Sequence, residues 1–195
     1  MNILRMTTRQ HSKLTQHLIQ SDAKESVAVA LCGQCHYGDR HLFTIHKIVE
    51  VPNDECERGP SFITWPTIYI RKLLKDASRD GLAVLKIHSH PSSLSQFSCQ
   101  DDLSDKELFK AIDQKVPGKH ISAVMLPDGS IFARCIEGGE VVEPVHRVAT
   151  VGDNLKFWDV DANGNSKPFD VRHRQAFGDR TTDMFSRLMI GVAGA

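Results

Sequence analysis

The sequence predicts a mixed α/β (α+β) domain in which helices flank a largely antiparallel sheet. Three observations lead there. Short apolar runs of strand length recur along the chain, stretches with helical spacing separate some of them, and Gly- and Pro-containing turns join others as hairpins. After a first helix, the order reads β, β, α, β, α, β, β, β.

Residues 8–21 carry Leu14, Leu18 and Ile19 between polar positions, an amphipathic helix by period. Asp22-Ala23-Lys24 breaks it, and Glu25 opens a strand from Ser26 to Cys32. Gly38-Asp39-Arg40 turns the chain into a second strand, His41 to Val51. A polar loop from Pro52 to Ser61 follows, and Thr67 to Ser78 is helical in spacing, with Asp80-Gly81 as its stop. Leu82 to Ile87 reads as a buried strand. A helix from about Cys99 to Lys115 would turn Leu103, Leu108, Phe109 and Ile112 inward, and Pro117-Gly118 ends it. Ile121 to Leu126 and Ser130 to Ile136 form a hairpin around Pro127-Asp128-Gly129. Gly138-Gly139 turns into a strand from Val141 to Val151, which closes that order, and Leu155 to Trp158 is a candidate for one further strand.

The 195 residues are enough for one well-packed domain and a remnant, placed here at 1–158 and 159–195. Equal numbers of basic and acidic residues give a formal charge of zero, so net electrostatics point to neither nucleic acid nor an anionic membrane. No apolar run has membrane-spanning length, and the first residues lack a secretory core. Five scattered cysteines do not suggest a disulfide framework, and a reducing cytoplasm is the expected location.

The segment His88-Ser89-His90-Pro91-Ser92-Ser93-Leu94-Ser95-Gln96-Phe97-Ser98-Cys99-Gln100-Asp101 carries the chemistry. Side chains alternate on a strand, so His88 and His90 leave one face together and Ser89 the other. Asp101 can add an anionic ligand, and two imidazoles with one carboxylate suit Zn²⁺ with a fourth position open, as a hydrolase requires. The same residues also read as a polar strand edge followed by a helix start, with Ser98 as N-cap and Asp101 near the positive helix end.

Seven residues separate His90 from Ser98 and two separate Ser98 from Asp101. In that order and spacing the segment resembles the signature of the JAMM (MPN-plus) zinc metalloproteases, and the likeness extends over roughly residues 10–150. The family places a glutamate upstream on its first strand, where Glu25 stands before Ser26-Val27-Ala28-Val29-Ala30-Leu31-Cys32-Gly33. The resemblance implies a cytidine-deaminase-like layering of sheet and helices. It implies zinc held by His88, His90 and Asp101, Glu25 as general base and then acid, and Ser98 as donor to the oxyanion. It also implies cleavage of a peptide or isopeptide bond after the C-terminal glycine of ubiquitin or a ubiquitin-like protein. Glu50, Glu55 and Glu57 are rivals for the place of Glu25. A non-catalytic scaffold of the same fold and a metallohydrolase acting on another amide or a small molecule are the competing classes. A cytidine deaminase is not indicated, because the HxE and PCxxC pair is missing.

Three signals lie outside this motif. Cys32-Gly33-Gln34-Cys35 is a CxxC at what reads as a strand end before a hairpin, not at a redox-type strand-to-helix turn, and Cys99 is a bystander near the metal. Asp159 to Asp170 imitates a calcium loop, but Ser166 and Pro168 fit a polar linker better. Arg172-His173-Arg174-Gln175-Ala176-Phe177-Gly178, followed by Arg187 to Ala195, resembles the opening of a ThiF-like, ubiquitin-activating adenylyltransferase domain. That resemblance implies a longer fusion whose second domain acts on the same modifier in a bacterial ubiquitin-like conjugation system.

Overall fold

A computed structural model describes residues 1–153 and 155–159, together with the backbone of 160 and 166–168. The described chain runs β1 (Asn2–Thr7), α1 (Thr8–Leu18), β2 (Val27–Tyr37), β3 (Arg40–Glu50), a 3₁₀ turn (Asn53–Glu55), β4 (Glu57–Arg58), β5 (Ile63–Thr64), α2 (Ile68–Asp80) and β6 (Ala83–Ser89). It continues with α3 (Cys99–Asp113), β7 (His120–Met125), β8 (Ile131–Glu137), β9 (Glu140–Pro144), β10 (Arg147–Val151), β11 (Lys156–Val160) and β12 (Ser166–Pro168). The fold is the expected mixed α/β type. All strands except β4 and β5 join one sheet, in the order β12-β11-β10-β1-β3-β2-β6-β7-β8-β9, and most of its pairings are antiparallel.

The sheet separates two apolar layers. On one face Leu14 and Leu18 of α1 pack with Leu4, Phe43, Leu85, Ile87 and Ile121. On the other, Ile70, Leu73 and Ala77 of α2 and Phe109 and Ile112 of α3 cover Val29, Leu31 and Val84. Odd and even positions of β6 therefore serve different layers, as strand alternation requires. The helix ends follow local chemistry. Thr7 and Gln10 form a capping box at α1, and Gly81 closes α2 in a left-handed conformation with φ of 64°.

Several expectations are corrected. The strand β1 is an addition to the expected order: Asn2–Thr7 is short and pairs in parallel with β3 and β10, contacts that no local pattern reveals. The expected strand from Val141 to Val151 is two strands. Pro144 has no N–H for a ladder, and the chain bends there, so that β9 pairs with β8 while β10 pairs with β1. Val145 N–H still donates to the Ala133 carbonyl (2.9 Å) and His146 N–H to that of Asn2 (2.9 Å), and this crossing curls the sheet upon itself. Leu103 does not face inward; it is 64% exposed. The buried stripe of α3 is Asp101, Asp105, Phe109 and Ile112, at helical spacings of four, four and three, and Leu103 lies off it.

The CxxC is inside β2, which runs five residues further than expected. Cys32 is buried and Cys35 exposed, because residues 27–32 of β2 are buried on both faces whereas Gln34 to Tyr37 are exposed on both. Burial also holds the Cys32 thiol well above its usual range. Asp159 at the start of the calcium-like loop accepts from Arg147 Nε (2.5 Å) and Nη2 (2.8 Å). The rest of that loop, apart from the β12 backbone, and the ThiF-like segment lie outside the described residues. No described helix is long and apolar enough to cross a membrane.

Two adjacent glycines offer a test of the packing. Both have positive φ, but a Cβ on Gly139 would stand 2.6 Å from the Lys106 carbonyl oxygen of α3, whereas one on Gly138 meets nothing within 4 Å. Gly139→Ala should lower stability by about 1–3 kcal/mol in urea unfolding, more than Gly138→Ala. Equal losses would show that the contact with α3 contributes nothing.

Candidate metal centre

The two imidazoles reach the site because β6 is a central strand. It is antiparallel to β2 and parallel to β7, and every residue from Ala83 to Ser89 is buried. Ala83, Leu85 and Ile87 belong to the α1 layer, so Lys86 and His88 face α3. His90 N–H donates to the Met125 carbonyl (3.0 Å), which keeps the backbone extended one residue past β6 and returns His90 to the face of His88. Pro91 ends the ladder. Ser89 points away, as expected. Its hydroxyl accepts from Ser26 N–H (2.9 Å), and its own N–H donates to the Ser26 carbonyl (3.0 Å).

Those two bonds also place Glu25. The antiparallel register pairs Val27 with His88, and continuing it through Ser26 and Ser89 sets Glu25 across from His90 on the same face. Glu25 is buried. Burial pushes its carboxyl up to about 7, against the attraction of His90.

Asp101 arrives from the first turn of α3. Ser98 is the N-cap: its hydroxyl accepts from Asp101 N–H (3.1 Å), and its own N–H donates to Asp101 Oδ2 (2.7 Å). The Ser98 hydroxyl also lies 2.7 Å from Oδ2, with its proton directed at the carboxylate. Asp101 Oδ1 is 2.8 Å from His88 Nε2, and Oδ2 is 3.4 Å from His90 Nε2. Burial opposes ionisation of Asp101, but hydrogen bonds from the two imidazoles and from Ser98 outweigh it and hold the carboxyl well below the usual range. Burial lowers His88, whereas for His90 the bonds to Asp101 and to the Leu94 carbonyl outweigh burial and raise it.

The donor set fits a metal ion. One ligand atom from each of His88, His90 and Asp101 lies within 4.8 Å of the others. The two Nε2 atoms are 3.2 Å apart, and Nδ1 of His90 is 2.9 Å from the Leu94 carbonyl oxygen. A carbonyl accepts only, so Nδ1 of His90 carries a proton; Nε2, which faces Asp101, is the atom that would give up its proton to a bound ion. Two imidazole nitrogens and a carboxylate converging in a buried site suit a cation once the nitrogens are deprotonated, and three such ligands suit Zn²⁺.

The centre forms the floor of a cleft of about 660 Å³. Glu25, Lys86, His88 and Asp101 line the floor, Ser61 to Trp65 one wall, and Gln100, Ser104, Glu107 and Leu108 of α3 the other. His90 and Ser98 stand behind this lining, in contact with Asp101. Of the rival acids, Glu50 pairs with Lys13 (3.8 Å), and Glu55 and Glu57 are exposed away from the cleft. Cys99 is exposed at the start of α3.

Residues that sequence reasoning missed hold these groups in place. Lys86 Nζ donates to Asp105 Oδ1 (2.7 Å), and Arg134 Nη2 to Asp105 Oδ2 (2.7 Å). This buried network ties α3 to β6 one helical turn below the pairing of His88 with Asp101. A lysine interrupting an apolar strand, with two acids four apart on a helix, was its signal. Arg58 had none, since its partners at residues 22–26 are distant in sequence.

Sheet and helix thus define an α/β domain with a candidate metal centre of two histidines and one aspartate at the floor of a cleft. The chain belongs to the family described as prokaryotic homologues of the JAB domain, whose sequence model matches residues 7–136. The matched region contains Glu25, His88, His90, Ser98 and Asp101, and it supports the JAMM/MPN-like domain that the motif resembles. Among solved structures, the chain is similar to the solution structure of protein DSY2949 from Desulfitobacterium hafniense, at 16% identity and a TM-score of 0.43, covering 85% of this chain and 90% of that one. No curated protein matches.

Proposed function

We infer that the protein is a zinc-dependent hydrolase of a peptide or isopeptide bond at the C-terminus of a ubiquitin-like protein. One observation carries this reading: a buried carboxyl with its pKa raised to about 7 stands in the same cleft floor as a His-His-Asp donor set. His88, His90 and Asp101 would hold the ion, which when bound supplies Lewis acidity toward a carbonyl and lowers the pKa of water to about 7.

The chain's own residues do the rest. Glu25, as the carboxylate, accepts a proton from the attacking water and returns it to the leaving amine. Ser98, which does not line the cleft, fixes Asp101 through the cap; to donate to the carbonyl oxygen as it becomes tetrahedral, its hydroxyl would have to leave Oδ2 and turn into the cleft. The walls from Ser61 to Trp65 and along α3 hold an extended chain over the floor. A ThiF-like domain in the same polypeptide is the partner that the C-terminal segment suggests, and the modifier is their shared substrate.

Glu25→Gln tests the assignment on linear and isopeptide-linked ubiquitin-like fusions. The variant should keep its zinc and lose hydrolysis by about 10²–10⁴-fold. Full activity in Glu25→Gln would remove Glu25 from the reaction.

A further inference from the structure

Arg58 is a cation on the two-residue strand β4, yet its side chain is only 10% exposed. All three nitrogens of its fork donate. Nε donates to the Glu25 carbonyl (2.6 Å), Nη1 to Asp22 Oδ2 (2.9 Å), and Nη2 to the Lys24 carbonyl (3.1 Å) and the Ser26 hydroxyl oxygen (2.8 Å). These acceptors lie within residues 22–26, on both sides of Glu25. The next residue completes the grip, because Glu25 N–H donates to the Gly59 carbonyl (2.9 Å). Both backbone polar groups of Glu25 are therefore held by residues 58 and 59.

The same two residues begin one wall of the cleft. Arg58 pairs with Ile63 across β4 and β5, Gly59 N–H donates to the Phe62 carbonyl (2.9 Å), and the Phe62 ring lies where a Cβ on Gly59 would be, 2.2 Å away. Ser61 to Trp65 then face the cleft. Among the described residues the Glu25 carboxylate accepts no hydrogen bond, so its position is inherited from its backbone. That backbone belongs as much to the hairpin as to β2.

We propose that Arg58 is a positioning residue that makes the 57–65 hairpin and Glu25 one mechanical unit, so that an extended peptide lying against Ser61–Trp65 sets where the Glu25 carboxylate stands. The proposal rests on the reading of Glu25 as the proton carrier. Only arginine can make this clamp, because its planar fork reaches acceptors on both sides of Glu25 at once. A lysine ammonium at the same position keeps the attraction to Asp22 without the fork. A displacement of about 1 Å at a reacting group can cost about 10²-fold in rate.

The test compares wild type with Arg58→Lys and Arg58→Ala in three measurements: zinc affinity, amide hydrogen exchange at residues 22–27, and steady-state hydrolysis of a ubiquitin-like protein–peptide fusion. Zinc affinity should stay within about twofold, because no metal ligand touches Arg58. Exchange at residues 22–27 should quicken in both variants, and kcat should fall about 10–100-fold with KM little changed. Phe62→Ala should lower kcat in the wild-type background and add nothing in Arg58→Ala, the signature of coupled sites. Wild-type kcat in Arg58→Lys would overturn the proposal, since charge alone would then suffice. So would unchanged exchange at 22–27 in Arg58→Ala, or faster exchange spread evenly over β2 and β3, which marks a general loss of stability. A wild type that binds zinc and hydrolyses no fusion defeats the reading of the reaction, and exchange at 22–27 then decides on the Arg58 clamp by itself.

Discussion

Asp105→Asn should destabilise the fold by about 3–5 kcal/mol, because it removes the shared partner of two buried cations. Lys86 and Arg134 both end on this carboxylate, and the three side chains are 5%, 9% and 2% exposed in the order Lys86, Arg134, Asp105. Arg134 keeps a second partner in Asp102, but that carboxylate is 59% exposed, and among the described residues Lys86 keeps only a 3.4 Å contact with the Ser104 hydroxyl. Asp102→Asn is therefore the control, with an expected loss of no more than about 1 kcal/mol. Urea unfolding of both variants measures the difference, and similar losses would contradict the account of the network.

The pH dependence follows with a definite sign. Burial opposes ionisation of Asp105, but the charge of Lys86 and the bonds from Lys86 and Arg134 outweigh it, so its folded pKa lies below the ordinary 3.8. A depressed carboxyl contributes stability that is present above the unfolded value and lost as pH falls through the folded one. Wild type should thus lose stability below about pH 4 more steeply than Asp105→Asn.

The second large effect is linkage between metal and fold. An ion that binds the assembled site and not the unfolded chain stabilises by about 4 kcal/mol at a thousandfold excess over its Kd. For a domain of this size that corresponds to roughly 8–16 °C in Tm. Zinc should raise the Tm of wild type, a chelator should reverse the rise, and Asp101→Asn should respond to neither. The asparagine can still accept at the α3 cap, so this variant separates loss of the ligand from loss of the helix start. A zinc-dependent rise in Asp101→Asn equal to that of wild type would remove Asp101 from the ligand set.

How much of this was legible in the sequence depends on the range of the interactions. The ligand trio was readable because its members are close along the chain: His88 and His90 share a face by alternation, and the Ser98 cap fixes Asp101 one turn into a helix. The rest of the site is set by register. Glu25 reaches the cleft only because β2 lies against β6 with Val27 opposite His88, a pairing over some sixty residues. β1 was lost for the same reason, its partners being β3 and β10. On α3 the error with Leu103 came from counting apolar residues: the inward stripe begins with Asp101 and Asp105, one aimed at the metal ligands and the other at Lys86 and Arg134. Where function puts charge on a buried face, hydrophobic period misreads that face. Pro144 was a legible break within the expected strand, and what it separates, two strands joined to different partners, was not.

The most direct test of the metal centre is elemental analysis of the purified protein beside Asp101→Asn. About one zinc per chain in wild type and little in the variant is the result that His88, His90 and Asp101 predict. Wild-type protein that takes up no zinc even after supplementation would contradict the metal centre and leave the cleft as a binding surface of the same fold.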